Sequence, residues 1–316
     1  MTGLALSSFW MSGRDKRPLD FFTTGAELGF DCFELSGIRH DTFYNEIRPG
    51  DFRIVSLHDP PPPAHGEAQV GSKELKRADI VYTSLDEERR RQAIILTKHS
   101  IDVAAEYGAQ AVVLHLGQTS GVSDVERQLK QLLIEDRIAS ADADSLRVRL
   151  QSERAFRHDE HMDALHRSLD ELVKYASTRN VRLGIENRPA HEIAGFDEIG
   201  KVLAWFPNDA TAIGYWHDTG HAQVYAELGF TPHVDWFKAY SSRIVGMHLH
   251  DAVGVDNHQA PGHGNIDWVG LAPLAPANAI RVMEVDTTVS VDELKTGVAH
   301  LRATGWLERR DYIGVS

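Results

Sequence analysis

Short runs of β-branched and apolar residues recur along this chain. Between them, apolar residues return every three or four positions. The runs predict strands at Leu4–Ser7, Cys32–Leu35, Ile54–Leu57, Ala111–His115, Arg182–Glu186, Ala212–Trp216, Ile244–His248 and Ile280–Glu284. The periodic segments predict helices at Asp86–Tyr107, Asp197–Trp205, Val234–Ser241 and Val291–Thr304. In the first of these, Ala93, Ile94, Leu96, Ile101, Val103 and Ala104 form the apolar stripe. Strands alternating with helices imply a parallel sheet. Eight such units in 316 residues fit one closed (β/α)8 TIM barrel over residues 1–316. A doubly wound open sheet is the alternative, but no Gly-x-Gly-x-x-Gly follows the first strand.

Ser123–Arg179, between the fourth and fifth strands, is too long for one barrel helix. Its first part (Val125, Leu129, Leu132, Leu133) and its last part (Leu165, Leu169, Leu172, Val173, Tyr175) are amphipathic, and Ala139–Asp144 reads as a break. The segment is expected to be a helical hairpin inserted at 123–165, followed by the regular helix. It stands equally as a lid over the active-site face, a subunit contact or an inert decoration. Pro60–Pro63 predicts a stiff loop after the third strand.

In a (β/α)8 barrel the C-terminal ends of the strands, with the loops after them, build the active site. His58, His115, Glu186, His248 and Glu284 end predicted strands, and Asp218 closely follows one. Strand alternation puts Gly246, His248 and His250 on one face, Gly184 and Glu186 on one face, and Ile280, Val282 and Glu284 on one face. An isolated strand-end histidine is more often a structural hydrogen bonder, and a lone Glu186 or Glu284 serves as well to cap a helix or pair with arginine. The series is different: buried unpaired carboxylates are costly, so clustered ones compensate one another or bind metal. The run His217–His221 and the later Asp256-Asn257-His258 add further donors in His221, Asp256 and His258. Imidazoles and carboxylates without thiolate suit Zn²⁺, Mn²⁺, Fe²⁺ or Co²⁺, and Mg²⁺ less well.

His250 and Asp251 stand as a second ligand pair, as substrate contacts, or as partners orienting His248, the last being the preferred role for Asp251. In Gly262–Trp268 the glycines permit close approach to a ligand, Asp267 is placed to cap a helix at Trp268, and His263 is a candidate substrate contact. Arg188 is placed to bind a hydroxyl, carboxylate or phosphate, or to make a surface ion pair. Phe9, Trp10, Tyr215 and Trp216 wall a pocket or pack the core, with Trp10 the candidate substrate contact. Cys32, inside a strand, is expected to be buried and inert.

Composition narrows the function classes. The formal net charge is −13, from 33 basic and 46 acidic residues. That disfavours nucleic acid as a partner, since such binding leans on Lys and Arg neutralising phosphates. No apolar run approaches the roughly 18 residues of a membrane span. No basic segment precedes the first apolar stretch, so no secretory signal is expected and cytoplasm is the default compartment. A single cysteine excludes an internal disulfide and any multi-cysteine zinc cage.

Leu183-Gly-Ile-Glu186-Asn187, His217-Asp218-Thr-Gly-His221, His248-Leu-His-Asp251, Asp256-Asn-His258, Gly262–Trp268 and Glu284 together resemble the xylose isomerase-like TIM-barrel superfamily. That group holds sugar isomerases and epimerases, inosose dehydratase-like lyases, and the endonuclease IV type of apurinic endonuclease. The resemblance covers nearly all of the chain outside 123–165. It implies a four-ligand centre of Glu186, Asp218, His248 and Glu284, with the two glutamates moving protons on opposite faces of a substrate carbon. The endonuclease type implies further ligands at His58, His115, His221, Asp256 and His258, hence one to three metals per chain. The chain departs from that type where Leu6-Ser7-Ser8-Phe9-Trp10 replaces its first-strand motif, where Asp59 and Pro60–Pro63 follow His58, and where Ser36-Gly37-Ile38-Arg39 replaces its Asn-Gln-Arg element.

The leading expectation is therefore a divalent-metal-dependent isomerase or epimerase of a sugar, polyol or keto-acid, working by proton abstraction and a metal-stabilised enediolate. Glu186 and Glu284 are the acid/base pair, and His115 or Arg188 assists at the substrate oxygen. An inosose or keto-sugar dehydratase on the same site, a multinuclear-metal phosphodiesterase, and a non-catalytic sugar- or metal-binding barrel are the alternatives. Relatives of this kind dimerise, so a homodimer is the expected assembly, with no surface singled out.

Overall fold

A computed structural model of the chain describes residues 3–11, 17–38, 42–62, 81–119, 123–188 and 192–307. Of the positions singled out above, Arg39 and Pro63 lie outside the described residues. Eight parallel strands close a barrel: β1 (Leu4–Ser7), β2 (Cys32–Leu35), β3 (Ile54–His58), β4 (Ala111–Leu114), β5 (Arg182–Glu186), β6 (Ile213–Asp218), β7 (Ile244–Leu249) and β8 (Ile280–Met283). Each strand pairs with its neighbour in chain order, and β1 pairs with β8. All eight predicted strands are present, three with the predicted bounds and the rest with ends displaced by one or two residues. No helix among the described residues is long and apolar enough to cross a membrane.

The alternation of each strand sorts its side chains into two cores. Leu6, Phe33, Leu57, Val112, Leu183, Ile185, Tyr215, Met247 and Met283 face the helices and join the large outer core. Ala5, Cys32, Val113, Trp216, Ile280 and Val282 fill the barrel interior. Trp216 is the largest of these, and two glycines make room for it. A Cβ at Gly246 would lie 2.1 Å from its ring, and one at Gly184 would lie 2.8 Å away.

The outer layer includes α1 (Pro18–Glu27), α2 (Phe43–Glu46), α3 (Glu87–Glu106), α4 (Ser123–Ile134), α5 (Ala141–Ala155), α6 (His158–Ser177), α7 (Phe196–Trp205), α8 (Thr219–Glu227), α9 (His233–Tyr240), α10 (Trp268–Leu271) and α11 (Val291–Ala303). Their starts follow capping chemistry. Asp86 accepts from the backbone of Glu88 and Arg89 at the head of α3, and Ser290 and Glu293 cap α11 reciprocally. Asp267 caps α10 through the amide of Gly270.

Three helices, α4 to α6, fill the long segment between β4 and β5, with the first interruption at 135–140. Leu129 and Leu132 of α4 and Ala143 of α5 share a cluster with Val224, Leu228 and Ala252, beside the loops that follow β6 and β7. Arg154 at the end of α5 meets Glu198 of α7 at 2.7 Å, and its other amino group donates to the Glu192 carbonyl at 2.9 Å.

Candidate metal centre

The strands deliver their terminal polar residues to one point. Glu186 ends β5, Asp218 ends β6, His248 lies on β7 and Glu284 directly follows β8. All are buried, and one ligand-type atom from each lies within 4.8 Å of those of the others. Nδ1 of His248 lies 3.1 Å from Glu186 Oε1, 3.2 Å from Glu284 Oε2 and 3.6 Å from Asp218 Oδ2. Three carboxylates thus converge on one imidazole nitrogen, buried where water screens them little.

Local structure fixes each member. Asp218 caps α8 by accepting from the His221 amide at 2.7 Å, so the helix N-terminus favours its charge. Asn187 brackets it, accepting from the Asp218 amide at 2.8 Å and donating to the Asp218 carbonyl at 3.0 Å. His250 holds its carboxylate from above. The His258 amide donates to His250 Nδ1 at 2.9 Å, which leaves the proton on Nε2, 2.9 Å from the Asp218 oxygen. Gly220 makes this approach possible, because a Cβ there would lie 2.1 Å from the His250 ring.

The charges are strongly coupled. Burial works to raise the Asp218 carboxyl, but His221 and His250 hold it well below the usual range. Burial likewise opposes ionisation of Glu186, and His115, His248 and His58 outweigh it. Burial opposes a charged imidazole at His248, yet Glu284 and Glu34 lift it well above the ordinary value. Glu284 is the exception among the acids. Burial, helped by the nearby Glu34, Glu186 and Asp218 and opposed by His248, pushes it up to about 7.

Two further groups share members with this centre. His58, His115 and Glu186 form one; His250, His258 and Glu284 form the other. His58 Nε2 lies 3.4 Å from Glu186 Oε2, and His115 Nε2 crowds the same oxygen. Neither His115 Nε2 nor Glu186 Oε2 has a hydrogen-bond partner, although both are buried. Apart from their contact with each other, both atoms are left unsatisfied, as ligand atoms that turn toward one ion would be. On the other side the His250 and His258 rings stack at 4.1 Å, and Phe9 packs on His258 at 5.1 Å.

Other singled-out residues fall around this core or away from it. His221 lies 3.4 Å from Asp218 and 3.6 Å from Glu186, with Arg188 Nη1 3.3 Å from its ring. Arg188 is also gripped by Glu192 at 3.1 Å and approaches Glu186 to 3.9 Å. Asp256 does not join: it is exposed, and its carboxylate accepts from Gln259 at 2.9 Å. The backbone at His258 is left-handed, with φ of 59°, and the exposed Asp256 is not brought to the site as the endonuclease resemblance implied. Asp251 does not contact His248. It accepts from the amides of Gly262 and Ile266 and from the Trp268 indole at 2.8 Å, organising the 262–268 loop. His263 is exposed and faces Thr296. Trp10 is buried with its indole on the Val289 carbonyl at 2.7 Å, and Cys32 is buried, its thiol pushed up to about 12, chiefly by burial.

Glu34 is the residue that sequence reasoning missed. It is fully buried on β2, and its two oxygens lie 3.1 and 3.2 Å from Nε2 of His248. Burial works to raise its carboxyl, but His248, His58 and Ser56 hold it below the usual range. The available signal was a lone carboxylate inside Cys32–Leu35, on the same face as Cys32.

The family model described as xylose isomerase-like TIM barrel matches residues 22–279. A relative from Sinorhizobium fredii, the uncharacterized protein y4fM, is 23% identical over 202 residues. The match covers 63% of this chain and about half (54%) of that protein's length. Among solved structures, a D-tagatose 3-epimerase-like protein superposes with a TM-score of 0.63 at 18% identity, over 96% of both chains. The 3-keto-D-glucoside 4-epimerase YcjR of E. coli, in its apo form, gives 0.65 at 13% identity, over 96% of this chain and 100% of its own. These structures share the fold, and the chain belongs to the xylose isomerase-like TIM-barrel family.

Proposed function

We propose that this xylose isomerase-like barrel is a divalent-metal-dependent isomerase or epimerase acting on a carbohydrate-like substrate. The observation that carries the reading is the placement of Glu186 and Glu284 about one imidazole nitrogen, 3.1 and 3.2 Å from His248 Nδ1. Glu186, Asp218, His248 and Glu284 would hold the metal. A bound divalent ion supplies positive charge that stabilises the negative charge developing on a substrate oxygen. The epimerase structures that share the fold support a sugar as the substrate class.

The chain's own groups account for the proton chemistry. Glu284 reaches the centre from the end of β8, where its carboxylate can take or give a proton at the substrate carbon. Glu186 faces the centre from a different strand and serves as its counterpart. Burial, with Arg188 nearby, pushes His115 well below its ordinary value, so it meets a substrate oxygen as a neutral imidazole. Arg188, steadied by Glu192 through Nε and Nη2, holds Nη1 beside His221 and Glu186, from where it would meet a substrate oxygen. Solvent deuterium entering a substrate carbon across a panel of ketoses and inososes is the expected result. Absence of exchange across the panel from metal-loaded protein refutes the reading. Exchange accompanied by loss of a β-hydroxyl identifies the dehydratase form of the same chemistry.

A second reading, phosphodiester hydrolysis by clustered metals, draws on one specific observation: Glu186 belongs both to the four-residue group and to the group with His58 and His115. Metal analysis separates the two. About one ion per chain favours the isomerase, and two or three favour the hydrolase.

A further inference from the structure

We infer that Glu34 is a positioning residue, fixing the tautomer and ring orientation of His248 from the opposite side of the barrel. The inference rests on the metal reading above. Glu34 is wholly buried and lies outside the four-residue group, on the Nε2 side of His248 rather than the Nδ1 side that the group faces. Both of its oxygens are occupied. Ser7 on β1 donates to Oε1 at 3.0 Å, and Ser56 on β3 donates to Oε2 at 2.8 Å. The two strands flanking β2 therefore fix the carboxylate plane from both edges.

His248 Nε2 sits almost midway between those oxygens, at 3.1 and 3.2 Å. An ionised carboxylate only accepts hydrogen bonds. The proton of a neutral His248 must then sit on Nε2, since the other tautomer would set a nitrogen lone pair against the carboxylate. Nδ1 is left bare, and Nδ1 is the atom that faces Glu186, Asp218 and Glu284. Trp216 closes the remaining freedom, its ring standing edge-to-face with the imidazole at 5.2 Å. Carboxylate partners of this kind orient ligand imidazoles and raise their basicity, and losing them weakens metal binding about 10–100-fold.

The test titrates chelator-stripped protein with Zn²⁺ by calorimetry. Glu34→Gln keeps the shape and one acceptor and is expected to bind Zn²⁺ about 10-fold more weakly. Glu34→Leu keeps bulk with no acceptor and is expected to lose about 100-fold. In the Zn²⁺-loaded wild type, two-bond ¹H–¹⁵N spectra should show His248 with its proton on Nε2, protected from exchange. Packing alone predicts neither the graded loss nor that protection. Wild-type affinity in both folded variants, or a proton on Nδ1, overturns the assignment of Glu34 and leaves the metal reading standing. A wild type that takes up no Zn²⁺ overturns both. If Glu34→Leu does not fold, the double variant Ser7→Ala with Ser56→Ala replaces it. It frees the carboxylate without removing it and should cost a few-fold, whereas unchanged affinity there counts against the inference.

Discussion

The barrel interior has two layers only two residues apart, and they are opposite in character. The lower layer holds Cys32, Val113, Gly184, Trp216, Gly246 and Val282. Two positions onward, the same strands or the residues just after them hold Glu34, His115, Glu186, Asp218, His248 and Glu284. One is a close-packed apolar plug around an indole, and the other a ring of acids and imidazoles. The difference shows how the fold tolerates so many buried charges. The plug closes the barrel beneath them and the mouth leaves them a solvent-facing side, with His115 13% and His258 18% exposed in their side chains.

Breaking the upper layer should have the largest effect. Glu284→Gln keeps the shape but removes the carboxylate proposed to move the proton. Turnover is expected to fall about 10²–10⁴-fold, the usual weight of a general acid or base. Rate measurements on the folded variant check this, and retained activity would remove Glu284 from the proposed role.

Breaking the lower layer should act on stability instead. Trp216→Ala empties the plug and is expected to cost about 3–5 kcal/mol in urea unfolding. Gly246→Ala does the reverse: its new Cβ would lie 2.1 Å from the Trp216 ring. Overpacking of that kind costs about 1–3 kcal/mol. It also pushes the indole toward His248, so metal affinity should fall with stability in this variant. A loss of stability with unchanged affinity would mean that the layers are mechanically independent.

The layering also explains what could be read from the chain alone. Strand positions were legible because β-branched runs alternate with 3.6-residue periodicity, and the inward face followed from His248 and Gly246 lying two apart. The residues found were those at strand ends. Glu34 escaped because it sits one residue inside β2, before Leu35, in a strand where only the cysteine had drawn notice. Asp251 was expected to orient His248, but its closeness in sequence says nothing about where its oxygens point; apart from the adjacent Ala252 amide, they meet groups 11 to 17 residues further on. Asp256 rested on the endonuclease resemblance alone, and no local pattern in Asp256-Asn257-His258 showed that its carboxylate would stay at the surface.

A buried carboxylate outside the barrel sharpens the contrast. Glu198 meets Arg154 at 2.7 Å and His158 at 2.9 Å, and accepts from the Gly195 amide. Burial works to raise it, but these partners hold it below its ordinary 4.5, and His158, bonded to Glu198, is raised above 6.5. The Glu198 contribution is full above 4.5 and fades as pH falls through its lowered value. The His158 contribution is full below 6.5 and fades as pH rises through its raised value. The gap in stability between wild type and His158→Gln should therefore be widest between 4.5 and 6.5. About 1 kcal/mol is expected there. Urea unfolding at pH 5.5 and 8.5 checks this, and a gap that grows at the higher pH contradicts it.

The smallest effect is expected at Asp256, and it tests the boundary of the upper layer. Its carboxylate is exposed and hydrogen-bonded to Gln259, whereas His258, on the same arm of the antiparallel hairpin of Asp251–Val253 and Asp256–Gln259, stacks on His250 and reaches to within 3.8 Å of Glu284. Asp256→Asn should leave Zn²⁺ stoichiometry, affinity and turnover at wild-type levels. His258→Ala should lower turnover, because it removes one wall of the mouth and the ring that backs His250, the partner of Asp218. If Asp256→Asn instead loses a bound ion, the hairpin rearranges on metal loading to bring that carboxylate inward. The third group would then be a ligand site of the multinuclear kind, and the hydrolytic reading would gain over the isomerase.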